Sequence, residues 1–306
     1  MTEETKMAYV EWCIHDFPEE LLVKLKDGYL REVANSIGGQ RKTARLLGVC
    51  FPYFHNLVHG KKSFSLRRLF QIIELSPQKE KFLKILEENI IKMKSGGRGY
   101  WFRVKFPFRL TPRLVRIIGH LLGDGNIRRT RGVNVRYGNS DHLLVKSFIK
   151  DMISIFGPTK YSIWRGNRGG CKDFMEVSFS SGIGRILRKF FGQCGTYDGR
   201  VPKVIMNADL RVKGEFLSGI FDDECTVAKD CIVIALTNKE LIHQIADTLA
   251  EFNIECKYGI RVDKRPNRKI QHTLTIRGKE NLEKFYKNIK LNHKNKKRKL
   301  VKWKKK

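Results

Sequence analysis

The sequence predicts an α+β protein made of a helical N-terminal segment and two copies of one mixed helix-and-strand unit. The stretches "IIGHLLGDG" (117–125) and "LSGIFDDEC" (217–225) lie one hundred residues apart, each with glycine at its third place and an acid at its eighth. Strand and helix patterns follow both stretches in the same order, whereas the residues before "KSGGRGY" (94–100) have helical periodicity. We therefore expect domains at residues 1–95, 96–205 and 206–306.

The N-terminal segment is predicted to be all-α, with short helices around a tight turn. A turn at Gly48 separates two helices, and a third begins near Ser65. Ala44 would let the first two helices cross closely, while Phe54 and Leu57 would face the core. A further helix, predicted over residues 78–94, would close this domain.

The spacing around Gly48 resembles the helix-turn-helix of repressor-type DNA-binding domains, in which the helix after the turn enters the major groove. An ordinary three-helix packing module would show the same spacing. If the resemblance holds, the side chains facing the groove are Tyr53, His55, Asn56 and His59. The two histidines stand four residues apart without a third ligand nearby, so we interpret them as surface residues rather than metal ligands.

The first repeat alternates strands and helices. A helix beginning at Thr111 and Pro112 is predicted between a strand at 101–106 and a strand at 132–140. In the latter strand Val135 and Tyr137 lie on one side, and Asn134 and Arg136 lie on the other. An amphipathic helix (141–157), a hairpin (161–165 and 174–181) and a further helix (182–192) follow.

The second repeat follows the same order. Its motif helix (214–224) precedes a strand (231–238), a helix (239–253), two strands (256–263 and 271–278) and a last helix (281–289). Asn139 follows Asp124 by fifteen residues, and Asn238 follows Glu224 by fourteen. A duplication of this length predicts two αββαββα halves related by a pseudo-twofold axis, like a dimer fused into one chain.

The repeated helices predict a site where they meet. Gly119, Gly123 and Gly219 would let the two helix backbones approach closely. The contact would then bring Asp124 and Glu224 together, and two neighbouring carboxylates need a cation between them. Magnesium, or another divalent cation such as manganese, suits these oxygen ligands and is often completed by water and phosphate. Two carboxylates, a divalent metal and a DNA phosphate can together hydrolyse a phosphodiester.

The paired motifs resemble the LAGLIDADG (DOD-type) homing endonucleases in their single-chain, two-motif form, over residues 100–306. The resemblance implies that a four-stranded sheet follows each motif helix and that the two sheets form a DNA-binding saddle. It also implies that the eighth motif residue, here Asp124 or Glu224, binds the catalytic metal. The basic residues that assist the metals in this family have no motif, and the candidates are Arg128, Lys229 and Lys239.

Three motif residues bear on the activity. Asp223 replaces the small residue usual at the seventh place, which predicts a looser helix crossing. Cys225 replaces the glycine suited to a left-handed helix end. His120 lies inside the first motif on an apolar seam, and we interpret it as structural. With Asp223 taken as a defect, Asp223→Ala should keep or improve stability.

The charge of the chain points to a polyanionic partner. Lys and Arg number 61 against 31 Asp and Glu, a formal net charge of +30. The predicted strands carry side chains able to read base edges, although a solvated outer face would look similar. These candidate DNA contacts are Asn134, Arg136, Lys264, Arg265, Arg268, Lys269, Gln271, Thr273, Thr275 and Arg277, with Glu176, Ser178 and Ser180 on the comparable face of the first half. The basic tail (293–306) is expected to be disordered and to add non-specific phosphate affinity.

The remaining features indicate an intracellular protein. Seven scattered cysteines without a C-x-x-C pair suggest reduced thiols, and no apolar run could cross a bilayer. We expect a cytoplasmic, nucleoid-associated monomer without a membrane partner. The resemblance implies a site-specific double-strand DNA endonuclease of the kind involved in intron homing. Two alternatives stay open: a non-cleaving DNA-binding regulator with the same fold, and an intron RNA maturase that binds structured RNA.

Overall fold

A computed structural model describes residues 10–96, 99–127, 133–168, 170–262 and 269–304. The α-helices are, in chain order, α1 (Tyr29–Ile37), α2 (Gln40–Leu46), α3 (Phe51–Val58), α4 (Leu66–Glu74), α5 (Lys79–Asn89), α6 (Pro112–Leu122), α7 (His142–Phe156), α8 (Ser181–Phe191), α9 (Lys203–Met206), α10 (Leu210–Glu224), α11 (Lys239–Ala250), α12 (Lys279–Asn288) and α13 (Lys294–Lys304). The strands are β1 (Glu11–Trp12), β2 (Leu21–Leu25), β3 (Phe64–Ser65), β4 (Ile90–Ser95), β5 (Phe108–Arg109), β6 (Gly125–Ile127), β7 (Val135–Asn139), β8 (Tyr161–Arg168), β9 (Cys171–Phe179), β10 (Cys225–Val227), β11 (Cys231–Leu236), β12 (Lys257–Arg261) and β13 (Gln271–Arg277). Among these helices, none is long and apolar enough to cross a membrane.

The chain divides into two compact units. The first contains the residues up to Arg109 together with Phe156–Lys160 and Ser180–Lys189. The second contains Leu110–Ile155, Tyr161–Phe179 and the residues from Phe190 onward. This division differs from a boundary at residue 95, because most of α8 and the segment before α6 cluster with the N-terminal residues.

The first unit is not all-helical, which corrects the prediction. Its helices accompany an antiparallel sheet with the strand order β3-β2-β4. The helix predicted over residues 78–94 ends at Asn89, and the chain continues as β4, where Met93 lies opposite Val23 of β2. Both side chains are buried. A pairing between residues seventy positions apart thus prevails over the local helical pattern.

Two short helices, α2 and α3, meet at a tight turn near the middle of the first unit. Gly48 in this turn has φ 65°, a left-handed conformation that favours glycine. Ala44 is buried between the helices, and Phe54 and Leu57 of α3 are buried in the core. The next helix begins where Ser65 accepts a hydrogen bond from the backbone N–H of Arg68, which satisfies one free donor of the helix start.

The second unit contains both motif helices and two four-stranded antiparallel sheets. The strand orders are β6-β7-β9-β8 and β10-β11-β13-β12, so the two sheets have the same topology. With α8 included, each half follows the order helix, two strands, helix, two strands, helix. The predicted α+β class is therefore confirmed.

Two strand predictions in this region need correction. The stretch predicted as a strand at 101–106 is not one, because only Phe102 forms a bridge, to Met93. Conversely, the three-residue strands β6 and β10, which directly follow the motif helices, complete the expected αββαββα order but were not assigned to residues from the sequence. Strands this short show no alternation in a sequence, and they are visible only through their pairing with β7 and β11.

The basic tail is also ordered as far as it is described, contrary to the prediction. Its residues form α13, and the backbone N–H groups of Asn292 and His293 donate to Asp222 over 2.7 and 2.8 Å. Leu291 and Leu300 are buried. The tail is therefore anchored to the second unit by a buried carboxylate and two apolar side chains.

Candidate active site

The two motif helices, α6 and α10, cross at a pair of glycines. A Cβ atom added to Gly119 would lie 2.4 Å from the carbonyl oxygen of Phe216, and one added to Gly219 would lie 2.5 Å from that of Arg116. Either distance is far below van der Waals contact. The structure therefore places Gly119 and Gly219 where only a residue without a side chain fits between the backbones.

Gly123 has a different neighbour, the side chain of Asp223. A Cβ atom on Gly123 would lie 2.8 Å from the Cβ of Asp223. Because Gly123, directly after α6, has no side chain, there is room for Asp223 of α10. The prediction that Asp223 loosens the crossing is wrong, because the opposite motif accommodates it.

The side chain of Asp223 is fully buried and joins the two halves through hydrogen bonds. Its Oδ1 accepts from the hydroxyl of Tyr137 over 2.7 Å and from the Asn139 amide over 3.4 Å. Its Oδ2 lies 3.0 Å from Nδ1 of His120, also buried. Since the three partners belong to the first half, the carboxylate of the second motif is engaged by residues of the first repeat.

His120 is a partner of this carboxylate, in agreement with a structural role. Burial lowers the pKa of the imidazole. The charge of Asp223 and its hydrogen bond to the ring raise this pKa by more, so the net shift is upward. The ring lies 4.8 Å from the ring of Tyr137, centroid to centroid. His120 and Asp223 thus form a buried hydrogen-bonded pair, in which the loss of either side chain would leave the other without its partner.

The ninth motif residue needs no left-handed backbone. Cys225 has φ −87° and ψ 153°, an extended conformation open to any residue. The corresponding glycine of the first motif, Gly125, has no positive φ either. The expected loss from Cys225 at a left-handed helix end therefore does not arise.

Asp124, the eighth residue of the first motif, is held by one neighbour. The Nδ2 amide of Asn139 donates to its Oδ2 over 2.8 Å. Burial raises the pKa of Asp124 to about 6, and the charge of Asp223 adds to the rise. The equivalent Asn238 does not act on Glu224: its amide donates to Gly199, and its oxygen accepts from Leu241 at the start of α11.

Glu224, the eighth residue of the second motif, has no hydrogen-bond partner within the described part of the chain. Burial and then the charges of Asp124 and Asp223 together raise its pKa to about 8. Because Asp124 acts on Glu224 electrostatically, the two motif carboxylates lie in one acidic centre. A metal-free chain would hold a proton there at neutral pH.

Lys296 is the basic residue at this centre, and motif reasoning missed it. Its Nζ donates to the carbonyl oxygens of Asp222 and Asp223 over 2.6 and 2.9 Å, at the C-terminal end of α10. Its charge lowers the pKa of Asp124 and Glu224 against the effect of burial. The only signal in the sequence was the lysine-rich composition of the tail.

The predicted basic candidates contribute nothing comparable. Lys229 lies exposed between β10 and β11, and Lys239 is the exposed first residue of α11. Neither is among the charges that chiefly shift the pKa of Asp124 or Glu224. Arg128 lies outside the described residues.

The donor set suits a divalent cation that is completed by other ligands. Asp223 uses both oxygens in hydrogen bonds, which leaves Asp124 and Glu224 as the available carboxylates. In the described ranges, no group of three or more His, Cys, Asp or Glu residues is arranged to hold a metal. Magnesium accepts such a set, because it commonly takes one or two carboxylates and keeps water or phosphate in its other positions.

The sheet of the second half presents a polar face on β13. Gln271, Thr273, Thr275 and Arg277 alternate with the buried Leu274 and Ile276 and are not buried themselves. Lys257 lies opposite Thr275, and Arg261 lies opposite Gln271, so two further cations share this face. The Nζ of Lys269 donates to the hydroxyl of Tyr197. Lys264, Arg265 and Arg268 lie outside the described residues.

The equivalent face of the first half carries a charged cluster. Glu176 accepts hydrogen bonds from Arg136 over 3.3 Å and from Arg168. Ser178 lies opposite Arg136 on the neighbouring strand. Asn134 is half-buried just before β7. Ser180 belongs to the first unit and is not an open position, because its hydroxyl is buried.

In the first unit, the side chains predicted to face a groove lie on the open side of α3. Tyr53, His55 and Asn56 are half-exposed, and His59 is exposed. The rings of the two histidines lie 4.0 Å apart, and Nδ1 of His55 lies 3.2 Å from the Gln40 amide oxygen. Among the described residues, they belong to no group of three or more His, Cys, Asp or Glu that could hold a metal.

Comparison with known proteins identifies part of the second unit. Residues 211–290 match the family model of the LAGLIDADG-like domain. The chain is 28% identical over 281 residues to the glutamine–fructose-6-phosphate aminotransferase of Methanocaldococcus jannaschii, a match that covers 89% of this chain and 24% of that protein. It is 27% identical over 194 residues to the replication factor C small subunit of the same organism, covering 61% of this chain and 10% of that protein. The chain therefore spans a quarter or less of the length of these relatives.

Solved structures with a similar arrangement include two kinds of protein. The homing endonuclease I-DmoI in complex with DNA and Mn is 16% identical, with a TM-score of 0.43 over 59% of this chain and 97% of that chain. The N-terminal LAGLIDADG domain of DUF199/WhiA is 16% identical, with a TM-score of 0.41 over 62% of this chain and 86% of that chain. The match to the family model is what assigns a LAGLIDADG-like domain to residues 211–290 of this chain.

Proposed function

We propose that the chain is a metal-dependent, site-specific double-strand DNA endonuclease of the LAGLIDADG type. The observation that carries this proposal is the acidic centre at the ends of the two motif helices. There Asp124 is exposed and Glu224 is half-buried, the charge of Asp124 acts on Glu224, and the two carboxyl groups have pKa values raised to about 6 and about 8. Keeping two carboxylates together in this way costs stability unless a cation joins them.

In this proposal, Asp124 and Glu224 hold the cation, and Asn139 orients Asp124 through its 2.8 Å hydrogen bond. A bound magnesium or manganese ion would polarise the phosphodiester and lower the pKa of an attacking water. Asp223, His120 and Tyr137 fix the seam from which the carboxylates project. Lys296 adds a positive charge beside them and satisfies the end of α10.

The DNA would lie on the polar faces of the two sheets. Thr273, Gln271 and Arg277 are side chains able to contact base edges or phosphates in the major groove. The predicted contacts at Lys264, Arg265 and Arg268 would extend the same hairpin. In the first unit, α2 and α3 would act as a helix-turn-helix, with Tyr53, His55 and Asn56 facing DNA. The chain would act as a monomer in the cytoplasm, associated with the nucleoid.

The curated relatives support a mobile origin. This chain resembles a minor part of an aminotransferase and of a replication factor subunit, two proteins with unrelated activities. A stretch common to both accounts for neither activity. It is the distribution expected for an element that inserts into host genes and that carries its own site-specific endonuclease.

A second candidate is a DNA-binding regulator that does not cut. One observation favours it: the pKa of Glu224, raised to about 8 by burial and by the charges of Asp124 and Asp223, leaves this ligand protonated at neutral pH. A proton must then be displaced before a cation binds, which weakens the metal site. The DNA-binding faces are the same in both candidates.

A plasmid-library cleavage assay separates the two. The purified chain would be incubated with a library of random target sites in magnesium or manganese, and linearised plasmids would be sequenced at their ends. We expect double-strand breaks at one related set of sites. Tight binding to a defined site without a break in either metal would establish the regulator instead.

A further inference from the structure

The first unit contains a cleft that the proposed chemistry does not use. It has a volume of 230 Å³ and lies between β2, β4, the end of α3 and Trp101. Leu57, Val58 and Gly60 form the wall contributed by the end of α3. The cleft therefore lies next to the helix proposed to enter the DNA groove.

Lysines are concentrated around this cleft in an unfavourable arrangement. Lys24 of β2 lies directly opposite Lys92 of β4 in the sheet register. Like charges at directly opposite positions of an antiparallel pair repel each other and destabilise the pairing. The pairing of β2 with β4 does not require lysine at positions 24 and 92, because Val23 and Met93 already supply the buried contact between the strands.

Trp101 organises two of the amines. The Nζ atoms of Lys92 and Lys94 lie 5.1 and 4.7 Å from the centre of its ring. An indole face attracts cations, so the ring holds the amine of Lys92 in the cleft. Lys62 is placed in the same way, with its Nζ 5.1 Å from the ring of Tyr53.

The charge of the cleft is not balanced by acids. Lys24, Lys26, Lys62 and Lys92 all line it, and the carboxylate in its lining is that of Asp27. No ion pair engages any of the four lysines among the residues that the structure describes. Four amines and one carboxylate leave a net positive charge, held partly in place by aromatic rings and open to solvent.

We propose that this cleft binds backbone phosphates of duplex DNA, beside the groove that α3 contacts. The inference rests on the proposed DNA binding and extends it to a second set of contacts. Ammonium groups bind phosphate as point charges and carry no base specificity, so these contacts would set the position of the first unit on DNA. Free polyphosphate carries the same phosphate groups as the DNA backbone. DNA is the expected ligand because the cleft adjoins α3.

The first test compares two double variants of the full chain. Lys24→Ala with Lys92→Ala removes the opposed pair, and Lys81→Ala with Lys84→Ala removes two charges from α5 of the same unit outside the cleft. DNA affinity is measured over a range of salt concentrations. Each lost phosphate contact lowers the slope of log affinity against log salt by about 0.9. We expect a decrease of about 1.8 for the cleft variant and a much smaller one for the control.

The second test reports on the cleft itself, through Trp101, and does not use the salt dependence of binding. Trp12→Phe, Trp164→Phe and Trp303→Phe leave Trp101 as the only one of the four tryptophans. Its fluorescence is followed while a short DNA duplex or inorganic pyrophosphate is added. We expect the duplex to change the emission, the change to disappear in high salt, and pyrophosphate to require a much higher concentration.

Thermal unfolding of both double variants comes first, and Lys24→Gln with Lys92→Gln replaces the alanine pair if that pair does not fold. Equal salt slopes in the cleft and control variants, or a Trp101 emission insensitive to DNA, would overturn the inference alone. Stronger binding of pyrophosphate than of DNA would overturn the assignment to DNA. A chain that binds but never cuts refutes the endonuclease and leaves the cleft standing, whereas a chain that binds no DNA refutes both.

Discussion

The hydroxyl of Tyr137 donates a 2.7 Å hydrogen bond to Asp223, so a strand of the first half holds the motif helix of the second. His120 binds the other oxygen of the same carboxylate. Removing Asp223 would leave the buried hydroxyl of Tyr137 and the buried imidazole of His120 without their partner. The free-energy cost of such unpaired groups exceeds the net stabilisation that the intact hydrogen bonds provide.

Asp223→Ala should therefore lower the free energy of unfolding, by about 3 kcal/mol. This is the reverse of what the small-residue preference at this motif position suggests. Urea unfolding followed by circular dichroism measures the change, with the exposed Asp230→Ala as the control. An unchanged midpoint for Asp223→Ala would mean that the buried network contributes nothing.

Asp124→Asn and Glu224→Gln should each slow DNA cutting by about 100-fold or more while DNA binding persists. The substitutions keep the side-chain shape but remove the charge that holds the cation, and electrostatic contributions of this kind are commonly worth at least that factor. Most of the affinity comes from phosphate contacts elsewhere. Cleavage kinetics and gel shifts on the same site provide the two readouts. Variants that cut at the parental rate would exclude the acidic centre as the metal site.

The metal-free chain should lose stability as the pH rises from about 5 to about 9. Burial, and then the charges of Asp124 and Asp223, raise the pKa of Glu224 to about 8 from an ordinary value of 4.5. Between these values the folded chain retains a proton that the unfolded chain has released, so stability decreases as the pH increases. Burial raises the pKa of Asp124 and Asp222 to about 6, which acts in the same direction.

Glu224→Gln should remove its share of this pH dependence. At pH 9 the variant should be more stable than the parent by about 3 kcal/mol, and the two should converge near pH 4. Melting temperatures across this range in the presence of a chelator measure the effect. The exposed Glu283→Gln is the matched control and should follow the parent at every pH.

Lys296→Met should destabilise α13 and the end of α10 together. It removes the donor for the carbonyl groups of Asp222 and Asp223, and it removes the cation beside Asp124 and Glu224. We expect a loss of about 2 kcal/mol, since buried carbonyl groups lose a charged partner. Lys297→Met, one residue along the exposed side of the same helix, is the control. Equal melting temperatures would show that the docked tail does not support the site.

Deletion of residues 1–95 should destabilise the remainder, although the glycine-rich break suggests an independent C-terminal piece. The hydroxyl of Ser181 on α8 hydrogen-bonds to Ser95, and Lys189 donates to the carbonyl of Phe17. The deletion removes both partners. A lower melting temperature of the fragment is expected, and a fragment as stable as the full chain would restore the boundary near residue 95.

The elements that sequence predicts well are those with a full local period. Helices α7 and α11 and strands β9 and β13 alternate or repeat over many residues, so their side-chain pattern alone indicates their type. The doubled motif further indicates that α6 and α10 meet. These features depend on neighbours in the chain, which a sequence displays directly.

The features that sequence did not reveal depend on distant partners. The strand character of β4 comes from β2, and the order of the lysine-rich α13 comes from Asp222 and from the burial of Leu300. Asp223 looked like a defect because its partners, His120 and Tyr137, lie about a hundred residues away in the chain. Composition and period contain no information about such pairings.

Gly123 and Asp223 occupy the same place in the two motifs, and each fits because the other is different. Two identical subunits would meet here as glycine against glycine, or as aspartate against aspartate. The first arrangement lacks the acid, and the second would bring two negative side chains into one space. The contact between Asp223 and His120 therefore requires two copies with different residues at this place, as one chain with two repeats provides. A redesign that restored symmetry at this seam would lose it.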